Sequence, residues 1–125
     1  RCCILLRHMF SLDTAIPAAE LARRIQRFTD REVLMIGDST VPVQRVAWCT
    51  GAAQGYIEHA VTAGADVYIT GEVSEQTVHV AREEGIVFMA AGHHATERYG
   101  VQAVGEHLAH SLDLEHCFFD INNPA

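Results

Sequence analysis

His93 and Glu97 combine residue types and a spacing that can bind a metal ion. They stand four apart in the segment Gly92-His93-His94-Ala95-Thr96-Glu97. At helical periodicity that separation puts both side chains on one face, one above the other. A neutral imidazole nitrogen and a carboxylate oxygen so placed can share a divalent cation. The same pattern also suits a plainer arrangement, a histidine at a helix start followed by an acidic first-turn residue that the helix dipole favours. His94 projects away from the shared face and is a neighbour of the pair rather than a third donor to the same ion.

Other chemistry-bearing residues stand at similar junctions. Glu72 follows Thr70-Gly71 where an apolar run ends. It could orient a ligand, act as a general base, or hold a metal-binding histidine in place; a carboxylate at a helix N-terminus is the alternative. His79 lies about two turns into the helix that follows, as a packed or surface residue or as a group facing the same site. The turn Thr50-Gly51-Ala52-Ala53-Gln54-Gly55 could offer backbone N–H groups to an anion. It lacks the lysine of a phosphate-binding loop and the G-x-G-x-x-G pattern, so it also reads as a tight turn. His107, His110 and His116 read as surface residues. No G-x-S-x-G motif is present. Ser74 reads as a helix N-cap. Asp66, Tyr68 and Trp48 have no partner legible in the sequence.

These residues need elements to position them. Pro17 opens a helical pattern with Ala18, Leu21, Ala22, Ile25 and Phe28 on one side and Arg23, Arg24 and Arg27 opposite. Val33–Ile36, Gln44–Cys49, Val67–Thr70, Ile86–Ala91 and Cys117–Ile121 read as strands. Between the later ones lie helices ended by Gly64 and Gly85, and a longer helix after Gly92 with Val101, Val104, Leu108 and Leu112 as its apolar stripe. Residues 1–12 show no clear period, and Asn122-Asn123-Pro124 closes the chain. After residue 44 the order is β-α-β-α-β-α-β, and the middle strands are continuous apolar runs, as in strands buried on both faces. The expected fold is therefore α/β, a mostly parallel sheet with helices on both faces. In such sheets ligands sit beyond the carboxyl ends of the strands, where the three glycine-containing junctions would gather.

The chain has 125 residues, 49% of them hydrophobic and 20% charged, which suits one domain with a real core. No apolar run is long enough to cross a membrane. Net charge is −7, and all nine basic residues are arginine. That balance argues against nucleic acid as a partner, while leaving room for a small anionic ligand. The four cysteines, Cys2, Cys3, Cys49 and Cys117, have no C-x-x-C spacing. Cys49 and Cys117 read as buried thiols, and a reducing, cytoplasmic setting follows. Residues 1–6 are too short for a signal peptide. Opening on Arg1, the chain reads as beginning inside a longer polypeptide.

Longer stretches carry a family resemblance. These are Val43-Gln44-Arg45-Val46-Ala47-Trp48-Cys49-Thr50-Gly51, Gly64-Ala65-Asp66, Ile69-Thr70-Gly71-Glu72-Val73-Ser74-Glu75-Gln76-Thr77-Val78-His79, Ala90-Ala91-Gly92-His93-His94-Ala95-Thr96-Glu97-Arg98, and Phe119-Asp120-Ile121-Asn122-Asn123-Pro124-Ala125. Together they resemble the C-terminal half of the NIF-three-like dinuclear-metal family, in its bacterial YbgI type, whose members are commonly labelled GTP cyclohydrolase 1 type 2 homologs. The resemblance runs over residues 12–125, leaving 1–11 unassigned. It implies a two-lobed α/β fold, two divalent ions (Zn, Mn or Fe) per intact protomer in a cleft between the halves, and a ring-shaped homohexamer. It implies that His93 and Glu97 are metal ligands, with a His-His pair and an Asp supplied by an N-terminal half. Glu72 and His79 match residues lining the same cleft, and His94 adjoins the ligand position. The function implied is a metal-dependent hydrolase acting on a nucleotide-like or phosphate-bearing small molecule, with Glu72 as a possible proton carrier. A non-catalytic metal-binding regulatory protein and an oligomeric scaffold are the alternatives.

Overall fold

The structure is a computed structural model that describes residues 9–121 and 123. The readings of residues 1–8, with Cys2 and Cys3, and of Asn122 and Pro124 lie outside the described residues.

Among the described residues five strands and four helices follow one another. They are β1 (Met9–Pro17), α1 (Ala18–Thr29), β2 (Leu34–Ile36), β3 (Pro42–Cys49), α2 (Ile57–Thr62, entered through a 3-10 turn at Gln54–Tyr56), β4 (Val67–Thr70), α3 (Glu75–Glu84), β5 (Val87–Ala90) and α4 (His93–Leu112). The sheet order is β1-β3-β4-β5-β2. β3, β4 and β5 run parallel, in a register that aligns Cys49, Thr70 and Ala90 at their carboxyl ends.

Side chains alternate through the parallel strands and feed two cores. Val46, Val67, Val87 and Met89 face one side with Ala18 and Leu21 of α1. Ala47, Tyr68, Phe88 and Ala90 face the other with Ile57 and Ala60 of α2 and Ala81 of α3. Burial on both faces is why these strands are continuous apolar runs. The expected α/β class with helices on both faces holds. "Mostly parallel" needs correction, because both edge strands, β1 on β3 and β2 on β5, are antiparallel. β1 occupies part of the region that showed no period. Its side chains are largely exposed, and its pairing is irregular between Ser11 and Ile16, so no apolar alternation marks it.

Local rules account for the element ends. The Ser74 hydroxyl accepts from the Thr77 N–H and caps α3, as expected. Gly85 ends α3 in the left-handed conformation. Pro17 is the residue before α1 rather than its first turn. The Asp66 carboxylate accepts the Gln44 and Arg45 backbone N–H groups at 2.9 and 2.7 Å and pairs with the Arg45 guanidinium, stitching β4 to β3. The Tyr68 hydroxyl, fully buried, donates to the Ala53 carbonyl at 2.8 Å. Trp48 meets Phe10 edge-on.

Other expectations fail, most of them at the C-terminal end. Cys117–Ile121 forms no strand. The segment instead lies against α4, with the His116 ring over Gly105 and the Asp120 carboxylate 2.8 Å from Arg98. Without a sheet position, Cys117 is exposed rather than buried, while Cys49 is half-buried. α4 also keeps its apolar stripe in the open: Val101, Val104, Leu108 and Leu112 are all exposed, and Ala95 is its one buried residue. Phe28, read on the buried side of α1, is 70% exposed and lies against Tyr99. Among the described residues no helix is long and apolar enough to cross a membrane.

Candidate metal centre

The three parallel strands end side by side, and a backbone ladder ties the loops that leave them. Gly71 N–H donates to the Gly51 carbonyl, Gly92 N–H to the Gly71 carbonyl, and Ala91 N–H to the Thr70 carbonyl, at 2.8–3.1 Å. The Thr70 hydroxyl also donates to the Gly51 carbonyl. The ladder brings the junctions after β3, β4 and β5 into contact. At Gly71 a side chain would have no room, since an added Cβ would lie 2.7 Å from the His93 Cα.

His93 opens α4, directly after Gly92. Its Nε2 lies 3.0 Å from Glu97 Oε2, one turn along the helix. Its Nδ1 contacts Glu72 Oε1, from the loop after β4. The imidazole thus sits between two carboxylates drawn from two elements. The hydrogen bond to Glu72 is the main cause that holds His93 above its ordinary pKa of 6.5; desolvation opposes it, and the charges of Glu97 and Glu72 add to it. Gly51 closes the site from the third junction. Its φ of +70° is left-handed, and an added Cβ would fall 2.3 Å from Glu97 Oε1 and 3.3 Å from His93 Nε2. The Thr96 hydroxyl, between the two donors in sequence, donates to the Gly92 and His93 carbonyls and stands 3.5 Å from the Gly51 N–H.

The site residues expected from sequence separate into two groups. Glu72, His93 and Glu97 come together. His94 lines the same cleft as His93 and Glu97 but makes a different contact: its Nε2 is 3.4 Å from Asp120, which also holds Arg98. His79 is 62% exposed, and its ion pair, at 3.9 Å, is with Glu75 on its own helix. His107, His110 and His116 are exposed, as expected. The Thr50–Gly55 turn is a tight turn, with Ala53 N–H bonded to the Gly51 carbonyl. Its role at the site falls to Gly51, which sequence reasoning noticed only as part of a loop.

An open cleft of about 580 Å³ lies beside the donor pair, walled by Val101, Phe118, Phe119 and Ile121. A second, of about 640 Å³, lies beyond His94 and Arg98 and is lined by Asp30, Arg31, Glu32 and Asp120. Among the described residues no group of three or more His, Cys, Asp or Glu side chains forms a metal site. His93 and Glu97 by themselves would offer an ion two donor atoms.

The Duf34/NIF3 (NGG1p interacting factor 3) family pattern matches residues 5–124. The chain belongs to this family. A Pseudomonas aeruginosa protein named GTP cyclohydrolase 1 type 2 homolog is 56% identical over 115 residues, covering 92% of this chain and 45% of that protein. An Escherichia coli protein of the same name is 52% identical over 115 residues, covering 91% of this chain and 47% of its own length. A solved structure described as protein ybgI, of unknown function, superposes with a TM-score of 0.89 at 51% identity, covering 94% of this chain and 48% of that one. The chain spans about half the length of the curated relatives it matches.

Proposed function

We propose that this chain contributes the His93–Glu97 pair to a dinuclear divalent-metal centre, and that the intact protein is a metal-dependent hydrolase of a nucleotide-like or phosphate-bearing small molecule. The observation that carries the reading is the 3.0 Å approach of His93 Nε2 to Glu97 Oε2 at the carboxyl end of a parallel sheet. Two atoms bonded to one ion at about 2.1 Å each stand roughly 3 Å apart. Gly51 leaves space beside both of them.

The donor set fits such an ion chemically. One imidazole nitrogen and one carboxylate oxygen suit Zn²⁺, Mn²⁺ and Fe²⁺. The remaining ligands belong to a segment outside this chain, in keeping with relatives about twice as long. When bound, the ions would supply Lewis acidity and an activated water. This chain's own residues hold one edge of the site: His93 and Glu97 provide donor atoms, and the backbone ladder fixes the loops that carry them. An anionic group of the substrate would meet the cations. A cytoplasmic protein working as a homohexamer is part of the same proposal.

A second reading has its own support. The exposed stripe Val101, Val104, Leu108 and Leu112 is an apolar surface of the kind that marks interfaces. It favours an assembly in which metal ions serve regulation or structure without turnover, so that the protein acts as a scaffold.

Metal content and turnover separate these readings. Intact wild type, His93→Ala and Glu97→Ala would be compared by elemental analysis, then screened with nucleotides and phosphate esters in Mn²⁺, Zn²⁺ or Fe²⁺. Loss of bound metal in both variants, together with metal-dependent turnover by wild type, is expected. Unchanged metal content in both variants would overturn the site. Bound metal without turnover of any substrate would leave the scaffold or regulatory reading.

A further inference from the structure

We infer that Glu72 is a positioning residue for His93: its carboxylate takes the Nδ1–H of the imidazole and so leaves Nε2 as the nitrogen that binds a cation with Glu97. This rests on the metal-centre reading. It assigns Glu72 away from the proton-carrier role that the sequence left open.

A neutral imidazole has one N–H donor and one lone pair, and the partner of one nitrogen decides the state of the other. An ionised carboxylate only accepts, so the nitrogen in contact with it carries the proton. Both nitrogens of His93 face carboxylates, Glu72 on Nδ1 and Glu97 on Nε2. One neutral ring can donate to only one of them. A protonated ring could donate to both, but with Glu72 on the Nδ1–H a neutral ring keeps its Nε2 lone pair, and a cation bound there would bridge it to Glu97.

The two contacts differ in a way that tells them apart. The Nδ1–Oε1 separation of 2.5 Å is that of a short hydrogen bond. It is too short for an ion bonded to both atoms at about 2.1 Å each with an ordinary bond angle. The 3.0 Å separation on the Nε2 side accommodates one. Space agrees with distance. On the Nε2 side stands Gly51, whose missing side chain leaves the donor pair uncovered.

The placement of Glu72 is also set independently of His93. Gly71, its neighbour, donates to the Gly51 carbonyl and accepts from the Gly92 N–H. Ser74, two residues on, is the N-cap of α3. The loop after β4 is thus pinned at both ends and presents Glu72 from behind the ring. A carboxylate behind a metal-binding histidine fixes its tautomer and orientation and raises its basicity, and losing such a partner lowers metal affinity about 10–100-fold.

The test uses the intact protein with Zn²⁺ as probe. Glu72→Ala, Glu72→Gln, His93→Ala and a control, Glu75→Gln on the exposed side of α3, would be measured by chelator competition and by the ¹⁵N-coupled imidazole N–H signals of the zinc-loaded protein. Glu72→Ala is expected to keep the zinc stoichiometry, weaken affinity about 10–100-fold and lose the slowly exchanging His93 Nδ1–H signal. Glu72→Gln keeps a carbonyl oxygen in place and should recover most of both, so a failure of the alanine variant to fold leaves the question answerable. Glu75→Gln should match wild type. Loss of a whole ion from Glu72→Ala would make Glu72 a ligand and overturn the inference. Unchanged affinity and an unchanged Nδ1–H signal would overturn it too, even if turnover fell. In each of those cases His93→Ala losing zinc leaves the metal centre standing; His93→Ala retaining full zinc content sinks the metal centre itself.

Discussion

Replacing Gly51 with alanine would put a methyl group where the Glu97 carboxylate now lies. The new Cβ would stand 2.3 Å from Glu97 Oε1, and ordinary van der Waals contact begins at 3.4 Å, so the oxygen must retreat by about 1.1 Å. Metal–ligand distances tolerate about 0.2 Å, and the displacement is several times larger. Glu97 is a flexible side chain, half exposed, and it can swing outward without disturbing the core. The left-handed φ of +70° adds a backbone cost of about 1–2 kcal/mol. The expected result is a folded protein, with a melting temperature lower by a few degrees and zinc affinity reduced by at least tenfold. Gly55→Ala on the same loop is the control. It has no left-handed φ and nothing within 4 Å of an added Cβ, so zinc binding should be unchanged. Zinc competition and thermal unfolding on intact wild type and both variants make the comparison. Wild-type zinc affinity in a folded Gly51→Ala protein would refute the placement of Glu97 as a donor beside Gly51.

Four further outcomes are expected. Tyr68→Phe removes one of two donors to the Ala53 carbonyl, which keeps the Tyr56 N–H, and should lower stability by about 0.5–1.5 kcal/mol, read as a shifted urea midpoint at constant slope. Burial pulls the Asp66 carboxyl up, but hydrogen bonds from the Arg45 and Gln44 N–H groups and the Arg45 side chain outweigh it and hold its pKa below the ordinary 3.8. A carboxylate with a depressed folded pKa contributes stability that is present above 3.8 and lost as pH falls through the lower value; Asp66→Asn should therefore flatten the acid limb of urea midpoints measured between about pH 2 and pH 6. Leu108→Glu with Leu112→Glu on the exposed stripe should leave the unfolding temperature of the 125-residue chain nearly unchanged and reduce its concentration-dependent self-association by light scattering. With no group of three or more His, Cys, Asp or Glu side chains among its described residues that could hold a metal ion, that chain alone should bind zinc far more weakly than the intact protein; tight binding of two ions in equilibrium dialysis would contradict this.

Much of the scaffold is written in local pattern. Val67–Thr70 and Ile86–Ala91 are apolar without alternation because both faces of those strands are covered, and their neighbours Gly71 and Gly92 mark where the chain turns. His93 and Glu97 are one helical turn apart, so their pairing needs nothing beyond α4 itself. Ser74 caps α3 through a residue three positions away, and Gly85 ends it. Periodicity, caps and i,i+4 pairs are short-range physics, and a single sequence carries them.

Contacts between distant segments were decided only by packing. Glu72 and His93 are 21 residues apart, and nothing in either segment names the other; the ladder through Gly51, Gly71 and Gly92 brings them together. Gly51 looks like any turn glycine until Glu97 is seen against it. No side chain of the edge strands β1 and β2 is buried, so neither carries the doubly buried pattern of the central strands, and both are antiparallel to their neighbours. Cys117–Ile121 has the residues of a strand, yet Asp120 is held by Arg98 and His116 rests on Gly105, which lays that segment along α4 instead of at a sheet edge. The stripe on α4 shows the division most plainly. Helical spacing determined that Val101, Val104, Leu108 and Leu112 share one face, because 3.6 residues make a turn whatever the surroundings. That no part of the described fold covers that face is a property of the tertiary arrangement, since burial depends on which distant surfaces reach the helix.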